Sequence, residues 1–311
     1  MAASTTGTYT APVMEYWNNY FLNELRANLV LEQFGLKGLH PKNNGAMVHW
    51  QTMTDFSAAT TALAEATADT NEYSLSGAMV TATVTQYGAY VKISDLLQDV
   101  WLAGSYQTVM ERLARHAALT IDTVIRDSCF TAGGTAQYGG TAVARNSIAS
   151  DGSFDMDLSE VRMAVNSLET LKAPRWPDGF YVGVVHQDVK YDLQGDTANW
   201  QDVLKFIPGS QQHVIKGEVG EMYGVRFIMS QQALAMDASG SASTDVYQSY
   251  IFGPEHYGIS ELQGVQTIIK NPSPVSQLDT FGTVGWKVGF VSKQLDASRM
   301  IRIESGASLG T

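Results

Sequence analysis

The sequence predicts an α+β fold with a long central helix, a projecting two-stranded arm and a second half rich in strands. Residues 105–130 repeat apolar side chains at helical spacing, and residues 80–94, VTATVTQYGAYVKIS, have the Thr, Val and Tyr content typical of strands. The second half adds a series of short β-type segments separated by turns. These segments are 180–185, 223–230, 247–253, 265–270, 283–291 and 299–304.

The N-terminal region begins with a small, polar stretch and continues with helical periodicity. Residues 1–11, MAASTTGTYTA, predict a flexible or partner-dependent arm. Residues 12–34 place apolar side chains three or four apart, which predicts an amphipathic helix with an aromatic face. That face either covers its own domain or docks on a neighbouring subunit, and the sequence leaves both alternatives open. Its candidate interface residues are Tyr16, Trp17, Tyr20 and Phe21.

A projecting arm is predicted over residues 46–94. Strand-like residues 47–53 and 80–94 flank a segment, 54–79, that is rich in Ala, Thr and Ser and whose charged residues are all acidic. That segment has too few apolar residues for a core of its own, and an isolated hairpin is marginally stable in water. We therefore expect the arm to lie on another surface, and residues 54–79 to be ordered mainly by a neighbouring subunit. Its candidate interface residues are Trp50, Phe56, Tyr73 and Tyr87.

The strongest periodic segment is 105–130. The pairs Glu111–Arg115 and Asp122–Arg126 stand four residues apart on its polar side, and glycines at 133 and 134 end the pattern. At 1.5 Å per residue the segment would be about 39 Å long. Because this exceeds the usual length of a globular helix, it is predicted to be the spine of the subunit.

The composition limits the class of protein. The chain of 311 residues has a formal net charge of −11, with 44% hydrophobic and only 16% charged residues, which indicates surface hidden against copies of itself. A single Cys129 excludes an internal disulfide. Neither a secretory signal nor a membrane-spanning run of about 20 apolar residues is found. The negative charge opposes tight binding of nucleic acid but does not oppose enclosing it.

Familiar catalytic and ligand-binding patterns are missing from the sequence. Six scattered histidines include no HExxH pair, there is no G-x-S-x-G, and the glycines at 133–140 lack the GK[ST] of a phosphate-binding loop. That glycine-rich stretch is predicted to be a linker or a bend. His116 is predicted to pack its helix, and Cys129 to behave as a small buried hydrophobe. We therefore predict no catalytic, cofactor-binding or metal site and no cofactor.

One acidic alternation imitates a calcium loop. Asp151, Ser153, Asp155 and Asp157 alternate, but no Gly stands at the sixth place and Arg162 occupies the twelfth, where a bidentate Glu belongs. The pattern is better explained as a turn into a helix, because Asp157 and Glu160 have the spacing of a capping box. A helix that ends near Pro174 is predicted to follow.

The order of these elements, together with three phrases, resembles one protein family. The phrases are TATVTQYGAYVKISDLLQD at 81–99, GEVGEMYGVRFIMS at 217–230 and GTVGWKVGFVSKQLDASRMIRIES at 282–305. They are similar to phrases in the major capsid proteins of tailed phages, which have the Hong Kong 97-like fold. Within that family the phrases resemble a subgroup related to the coat protein of the podophage N-four. The resemblance covers nearly the whole chain from about residue 12.

The resemblance implies a domain organisation. The N-terminal arm and helix would occupy 1–39, and the extended loop, a β-hairpin lying over the neighbouring subunit, would occupy 40–95. The peripheral domain with its spine helix would comprise 96–150 and 270–311. The axial domain, 151–269, would surround the centre of a hexamer or pentamer.

The resemblance also implies partners. The chain would assemble with itself into hexamers and pentamers of an icosahedral shell and enclose double-stranded DNA without sequence-specific binding. A portal is expected, and a decoration protein stays open. Because the sequence shows no scaffolding region, either a separate scaffolding protein directs assembly or a scaffolding prefix was removed. The expected location is the virion, assembled in the host cytoplasm without a membrane. Some coats of this fold crosslink a hairpin lysine to a neighbour's asparagine, but no Lys occurs between Lys42 and Lys92, so a non-covalent shell is expected.

Three other functions stay open at this stage. An encapsulin-type compartment shell would use the same fold. A structural protein of a phage tail would assemble into tubes instead of closed shells. A soluble hydrolase would require an active site built from residues far apart in the sequence.

Overall fold

The computed structural model describes residues 19–26, 28–53, 56–60, 62, 72–100, 105–131, 133–150, 152–195, 220–270 and 280–309. Within these ranges the chain contains five α-helices and thirteen strands. The helices are α1 at 19–26, α2 Asp95–Val100, α3 Ser105–Cys129, α4 Leu158–Thr170 and α5 Gln187–Gly195. The strands are β1 Leu36–Leu39, β2 Met47–Met53, β3 Gly77–Thr83, β4 Thr85–Ser94, β5 Thr135–Tyr138, β6 Tyr181–Val185, β7 Gly220–Met222, β8 Val225–Met229, β9 Ala235–Met236, β10 Val246–Phe252, β11 Tyr257–Lys270, β12 Phe281–Gln294 and β13 Met300–Ser305.

Helix α3 is the long helix that the sequence predicts, and it spans 25 residues. Its apolar stripe is buried in the larger of two cores, which confirms the prediction of a spine. The stripe packs on a four-stranded sheet with the order β1-β11-β12-β4, in which β1 is parallel to β11 and the other pairs are antiparallel. The buried stripe residues are Met110, Leu113, Ala114, Ala117, Ile121 and Ile125.

A seven-stranded sheet forms the other half of the subunit. Its order is β5-β13-β10-β6-β8-β7, with β9 added on β10. One face, including Tyr250 and Phe252, joins the core around α3. The other face, including Ile251 and Ile303, packs with residues of α4 and α5 in a second core. The sheet includes β5 and β13, which fall in the predicted peripheral domain, so strands from both predicted domains pair in one sheet.

The arm consists of β2 and β3, which pair in antiparallel register from Met47↔Thr83 to Met53↔Gly77. The strand character predicted for 80–94 is confirmed, but it is divided between two strands. The strand is interrupted at Val84, and β4 leaves the arm to pair with β12 along ten residues of the body sheet. The two-stranded part of the arm is therefore shorter than the predicted range 46–94.

Several local predictions need correction. The helix predicted over 12–34 does not continue to residue 34, because Leu31–Phe34 is a 3₁₀ helix; residues 12–18 lie outside the described ranges. The glycine-rich linker contains β5, which pairs in parallel with β13. Helix α5 lies in a part of the chain, after the predicted strand 180–185, for which the sequence predicts no element. By contrast, the capping box of α4 is confirmed, since the Asp157 side chain accepts a hydrogen bond from Ser159 N and Glu160 bonds back to Asp157 N.

Candidate subunit interface

Exposed apolar side chains are concentrated on the arm and on the segment that follows it. Of the twenty large hydrophobic residues that are exposed among the described residues, eleven lie between Met47 and Val100. Exposed apolar area of this kind is typical of a surface that another protein covers. The eleven are Met47, Met53, Phe56, Tyr73, Leu75, Met79, Tyr90, Val91, Leu96, Leu97 and Val100.

Two predicted interface residues meet in the segment that links β2 to β3, residues 54–76, which we call the arm tip. The rings of Phe56 and Tyr73 pack edge to face with centroids 5.8 Å apart. They remain 56% and 43% exposed, so the pair is available to a neighbouring subunit. Both residues are exposed in the subunit, as the predicted interface role requires. Their contact with a neighbouring subunit stays a prediction.

Trp50 lies at the base of the arm and is not available to a neighbour. Its ring fills a slot above Gly258 and Gly38, and a Cβ added to Gly258 would meet Trp50 atoms at 2.8 Å. Trp50 is only 8% exposed and shares a small cluster with Val48 and Val291. The prediction that Trp50 contacts another subunit is therefore wrong, since it anchors the arm to its own body.

The aromatic face of α1 also covers its own chain. Phe21 is fully buried in the core around α3, so its predicted role at an interface is wrong. Tyr20 is partly buried and donates a hydrogen bond to Glu111 Oε1 at 2.5 Å. Tyr87 is half-buried and packs on Phe290 at 5.4 Å between ring centroids. Tyr16 and Trp17 lie outside the described residues.

Asp122 of α3 attaches the end of the N-terminal segment to the spine. Its carboxylate accepts hydrogen bonds from Val30 N at 2.9 Å and Leu31 N at 3.2 Å. These bonds cap the 3₁₀ helix and provide the physical reason why the helical pattern of 12–34 is interrupted here. Burial raises the pKa of Asp122 from 3.8 to about 6, although the backbone hydrogen bonds oppose the shift.

The stability of the subunit is expected to depend on the protonation of Asp122. Because its pKa is raised in the folded state, the stabilisation is complete below pH 3.8 and is lost as the pH rises through about 6. The loss corresponds to about 3 kcal/mol, from roughly two pKa units. Unfolding of the unassembled subunit in urea between pH 4 and 7 measures it. The free energy of unfolding of wild type should fall relative to that of Asp122→Asn as the pH rises over this range, because asparagine does not titrate. A difference between the two that does not change with pH would contradict the assignment.

Filling the slot under Trp50 is expected to loosen the base of the arm. Gly258→Ala should lower the free energy of unfolding by about 1–3 kcal/mol, because the new methyl group and the indole cannot occupy the same space. Gly264→Ala on the same strand is the matched control, since its Cβ would meet no atom closer than 3.8 Å. Equal stabilities of the two variants would show that Trp50 is not confined by the slot.

Three described groups with shifted pKa values, Asp157, Glu160 and Cys129, have structural contacts. The Asp157–Glu160 pair imitates an acid–base pair, because the pKa of Asp157 is lowered by its hydrogen bonds while burial raises that of Glu160 to about 7. Both carboxylates, however, bond to the backbone of the α4 cap. Cys129 is buried, and burial raises its pKa to about 11, as predicted for a packing residue. In the described parts of the chain, no group of three or more His, Cys, Asp or Glu residues could hold a metal ion.

The predicted packing role of His116 agrees with its position. It lies on α3 with its ring 5.9 Å from that of Trp286.

Sequence reasoning missed Glu304, which is fully buried at the centre of an ion-pair network with Arg145 and Arg302. These residues are too far apart in the sequence for spacing to reveal them.

Among the described helices, none is both long and apolar enough to cross a membrane.

Comparison with solved structures identifies the fold. No model of a known protein family matches the sequence, and no curated protein does either. The chain aligns with the capsid of Ralstonia phage GP4 at a TM-score of 0.70 and 12% sequence identity, covering 88% of this chain and 90% of that one. It aligns with the capsid of cyanophage Pam1 at 0.64 and 14% identity, covering 86% and 87%. The chain therefore has the Hong Kong 97-like capsid fold that its sequence predicts.

A virus-like particle from Pyrococcus furiosus aligns at a TM-score of 0.53 and 10% identity, covering 94% of this chain and 99% of that one. The alignments cover 86–94% of this chain and 87–99% of the three solved structures.

Proposed function

We propose that this chain is the major capsid protein of a tailed phage, which self-assembles into the hexamers and pentamers of an icosahedral shell that encloses double-stranded DNA. The observation that carries the proposal is the alignment of 88% of the chain with the capsid of Ralstonia phage GP4. The protein acts structurally and without enzymatic chemistry. Its location is the virion, after assembly in the host cytoplasm.

The arm supports self-assembly on physical grounds. Two strands alone cannot bury their side chains, and the outward residues of β2 and β3 are exposed in the subunit. In a closed shell each copy would cover part of the next, so many modest contacts would add up to a stable particle. We assign the arm, over 40–95, as the extended loop on a neighbouring subunit and Phe56 and Tyr73 as interface residues, together with Tyr16 and Trp17.

The charge supports enclosure of DNA without tight binding. A subunit of net charge −11 repels a polyanion on average, so packaged duplex would stay mobile. A portal, a separate scaffolding protein and an optional decoration protein complete the proposed set of partners. The division into peripheral and axial domains and the kinship with the N-four coat subgroup belong to the same proposal.

Electron microscopy of the purified, expressed chain tests the function. Closed shells built from five-fold and six-fold capsomers are the expected result. Tubes would indicate a tail protein, and shells that carry an enzyme but never nucleic acid would indicate an encapsulin-type compartment. A monodisperse monomer at high concentration would overturn every shell function and favour a soluble hydrolase.

The shell is expected to be held together without covalent bonds. Residues 43–91 contain no lysine for an isopeptide crosslink, and the single Cys129 is buried. Assembled particles boiled in detergent should therefore run as one band near 33.8 kDa. A ladder of multiples in the gel would contradict this expectation.

A further inference from the structure

The four-stranded sheet has one face on α3 and an opposite face that is partly uncovered. Directly opposed residues in an antiparallel sheet share a face, so the pairing of β11, β12 and β4 defines rows across it. Three neighbouring rows near the ends of β11 and β4 contain no acidic residue. The rows are Lys270–Thr283–Lys92, Ile268–Gly285–Tyr90 and Gln266–Lys287–Gly88.

Glycines make this part of the face concave. Gly285 lies between Ile268 and Tyr90, and a Cβ there would lie 2.7 Å from Tyr90 Cβ, so only glycine fits. Tyr90 is 66% exposed and stands as one wall of the depression, with Ile268 as the other. We call this surface the lysine trough, because three lysines surround an apolar floor.

The charge of the trough is opposite to that of the chain. Lys92, Lys270 and Lys287 form no ion pair with any described carboxylate, although the chain has eleven more acidic than basic residues. Lys92 Nζ instead lies 5.0 Å from the ring centroid of Phe281. Three uncompensated cations around an exposed tyrosine favour an acidic partner that also carries apolar side chains.

The arm tip has the complementary chemistry. Residues 43–91 contain no Lys or Arg, and all four of their charged residues are acidic. The tip also exposes the Phe56–Tyr73 pair. Its acidic residues are Asp55, Glu65, Asp69 and Glu72.

The arm of the same chain starts from the opposite end of this sheet. Ala82 and Val84 pack with Val291, beyond the point where Phe290 pairs with Thr85 at the start of β4. Strand β3, which pairs with β2, leads into β4 at this end of the sheet. The trough lies near the other end, at Lys92 and Thr283.

We propose that the lysine trough receives the acidic arm tip of a second copy of this chain, with Phe56 and Tyr73 over Tyr90 and Ile268 and the tip carboxylates beside the lysines. The inference rests on the proposed shell function. It adds the surface of one subunit on which the arm tip of a second subunit docks. The contact is electrostatic at its rim, so it weakens as salt increases.

Crosslinking within shells tests the contact directly. Shells assembled from equal amounts of unlabelled and ¹⁵N-labelled chains are treated with a carbodiimide, which joins adjacent amines and carboxylates. Mass spectrometry should find Lys92 or Lys270 joined to Glu72 or Asp69, with half of the crosslinked peptides carrying mixed labels. Shells in which these lysines join no arm tip, or join only uniformly labelled tips, would overturn the docking proposal and leave the shell function intact. Failure to form shells at all would instead overturn the proposed function.

Charge reversal provides a second test. Lys92→Glu with Lys270→Glu should reduce shell yield at least about tenfold, and Asp69→Lys with Glu72→Lys should do the same. All four changes in one chain should restore the yield, because the signs match again. Lys172→Glu with Lys190→Glu changes the net charge equally, away from the trough and from the arm, and should leave the yield unchanged. Equal yields for the trough variant and this control, or no restoration in the four-fold variant, would refute the contact. If a different acidic molecule occupies the trough, only the lysine changes will have an effect, which also refutes it.

Discussion

Replacing Glu304 with leucine is expected to lower the free energy of unfolding of the subunit by about 3–5 kcal/mol. Glu304 is fully buried in β13 and accepts two hydrogen bonds from Arg145, at 2.7 and 2.6 Å, and a third from Gln248 at 3.1 Å. Arg302 Nε lies 3.0 Å from the same carboxylate. Leucine would leave the buried cation of Arg302 and the amide of Gln248 without this partner. Urea unfolding followed by circular dichroism measures the change.

Two controls distinguish this network from surface ion pairs. Glu255→Gln breaks the exposed pair with Arg299 and should cost less than about 1 kcal/mol. Glu304→Gln preserves the shape and removes only the charge, so its cost should lie between the two. If Glu304→Leu costs no more than Glu255→Gln, the buried network contributes nothing measurable.

The network also has a defined pH dependence. Burial would raise the pKa of Glu304, but the hydrogen bond and charge of Arg145 and the charge of Arg302 hold it below its usual value of 4.5. A lowered pKa means that the stabilisation is present above pH 4.5 and is lost as the pH falls through the folded-state pKa. The advantage of wild type over Glu304→Gln should therefore decrease in acid, opposite in direction to the effect of Asp122.

Truncating Phe130 to alanine is expected to cost about 3–5 kcal/mol of subunit stability. Phe130 is fully buried at the end of α3, where its ring lies 5.0 Å from that of Tyr257 and 5.2 Å from those of Tyr250 and Phe252. Because Tyr257 belongs to one sheet and Tyr250 and Phe252 to the other, the cavity would form where the spine and both sheets meet. Thermal or urea unfolding of the unassembled subunit measures this.

Phe56→Ala is the matched comparison for Phe130→Ala. Phe56 is 56% exposed in the subunit, so its loss should change the free energy of unfolding by less than about 0.5 kcal/mol. Its effect should be found in the yield of shells, because its proposed partner is another subunit. If Phe56→Ala destabilises the subunit as much as Phe130→Ala does, the arm tip is part of the subunit core and not of an interface.

Local regularities explain which parts of the fold could be predicted. The stripe of α3 repeats over seven helical turns, and the capping box of α4 involves only Asp157 and Glu160, so neither needs information from distant residues. The strand segments were located by Val, Ile, Tyr and Thr content. Strand β5, TAQY, was missed because it is short and lies among glycines, and its strand conformation depends on pairing with β13.

The candidate interface was predicted with less success, for a related reason. Phe21, Trp50, Phe56 and Tyr73 are all aromatic residues in segments that need a partner. Whether a residue faces its own chain depends on the three-dimensional neighbours. Trp50 is buried because Gly258, more than two hundred residues away, leaves room for the indole, whereas Phe56 packs on Tyr73 and stays exposed.

The sequence by itself determined the order of elements, the long spine, the acidic segment 43–91 without lysine and the low charged fraction, because each is a property of composition or short-range periodicity. Only the tertiary structure decided that β4 belongs to the body sheet, that Glu304 is held by two arginines and that three lysines share one uncovered face. These features join residues far apart along the chain. Such pairings follow from packing and strand register, which short-range patterns do not encode.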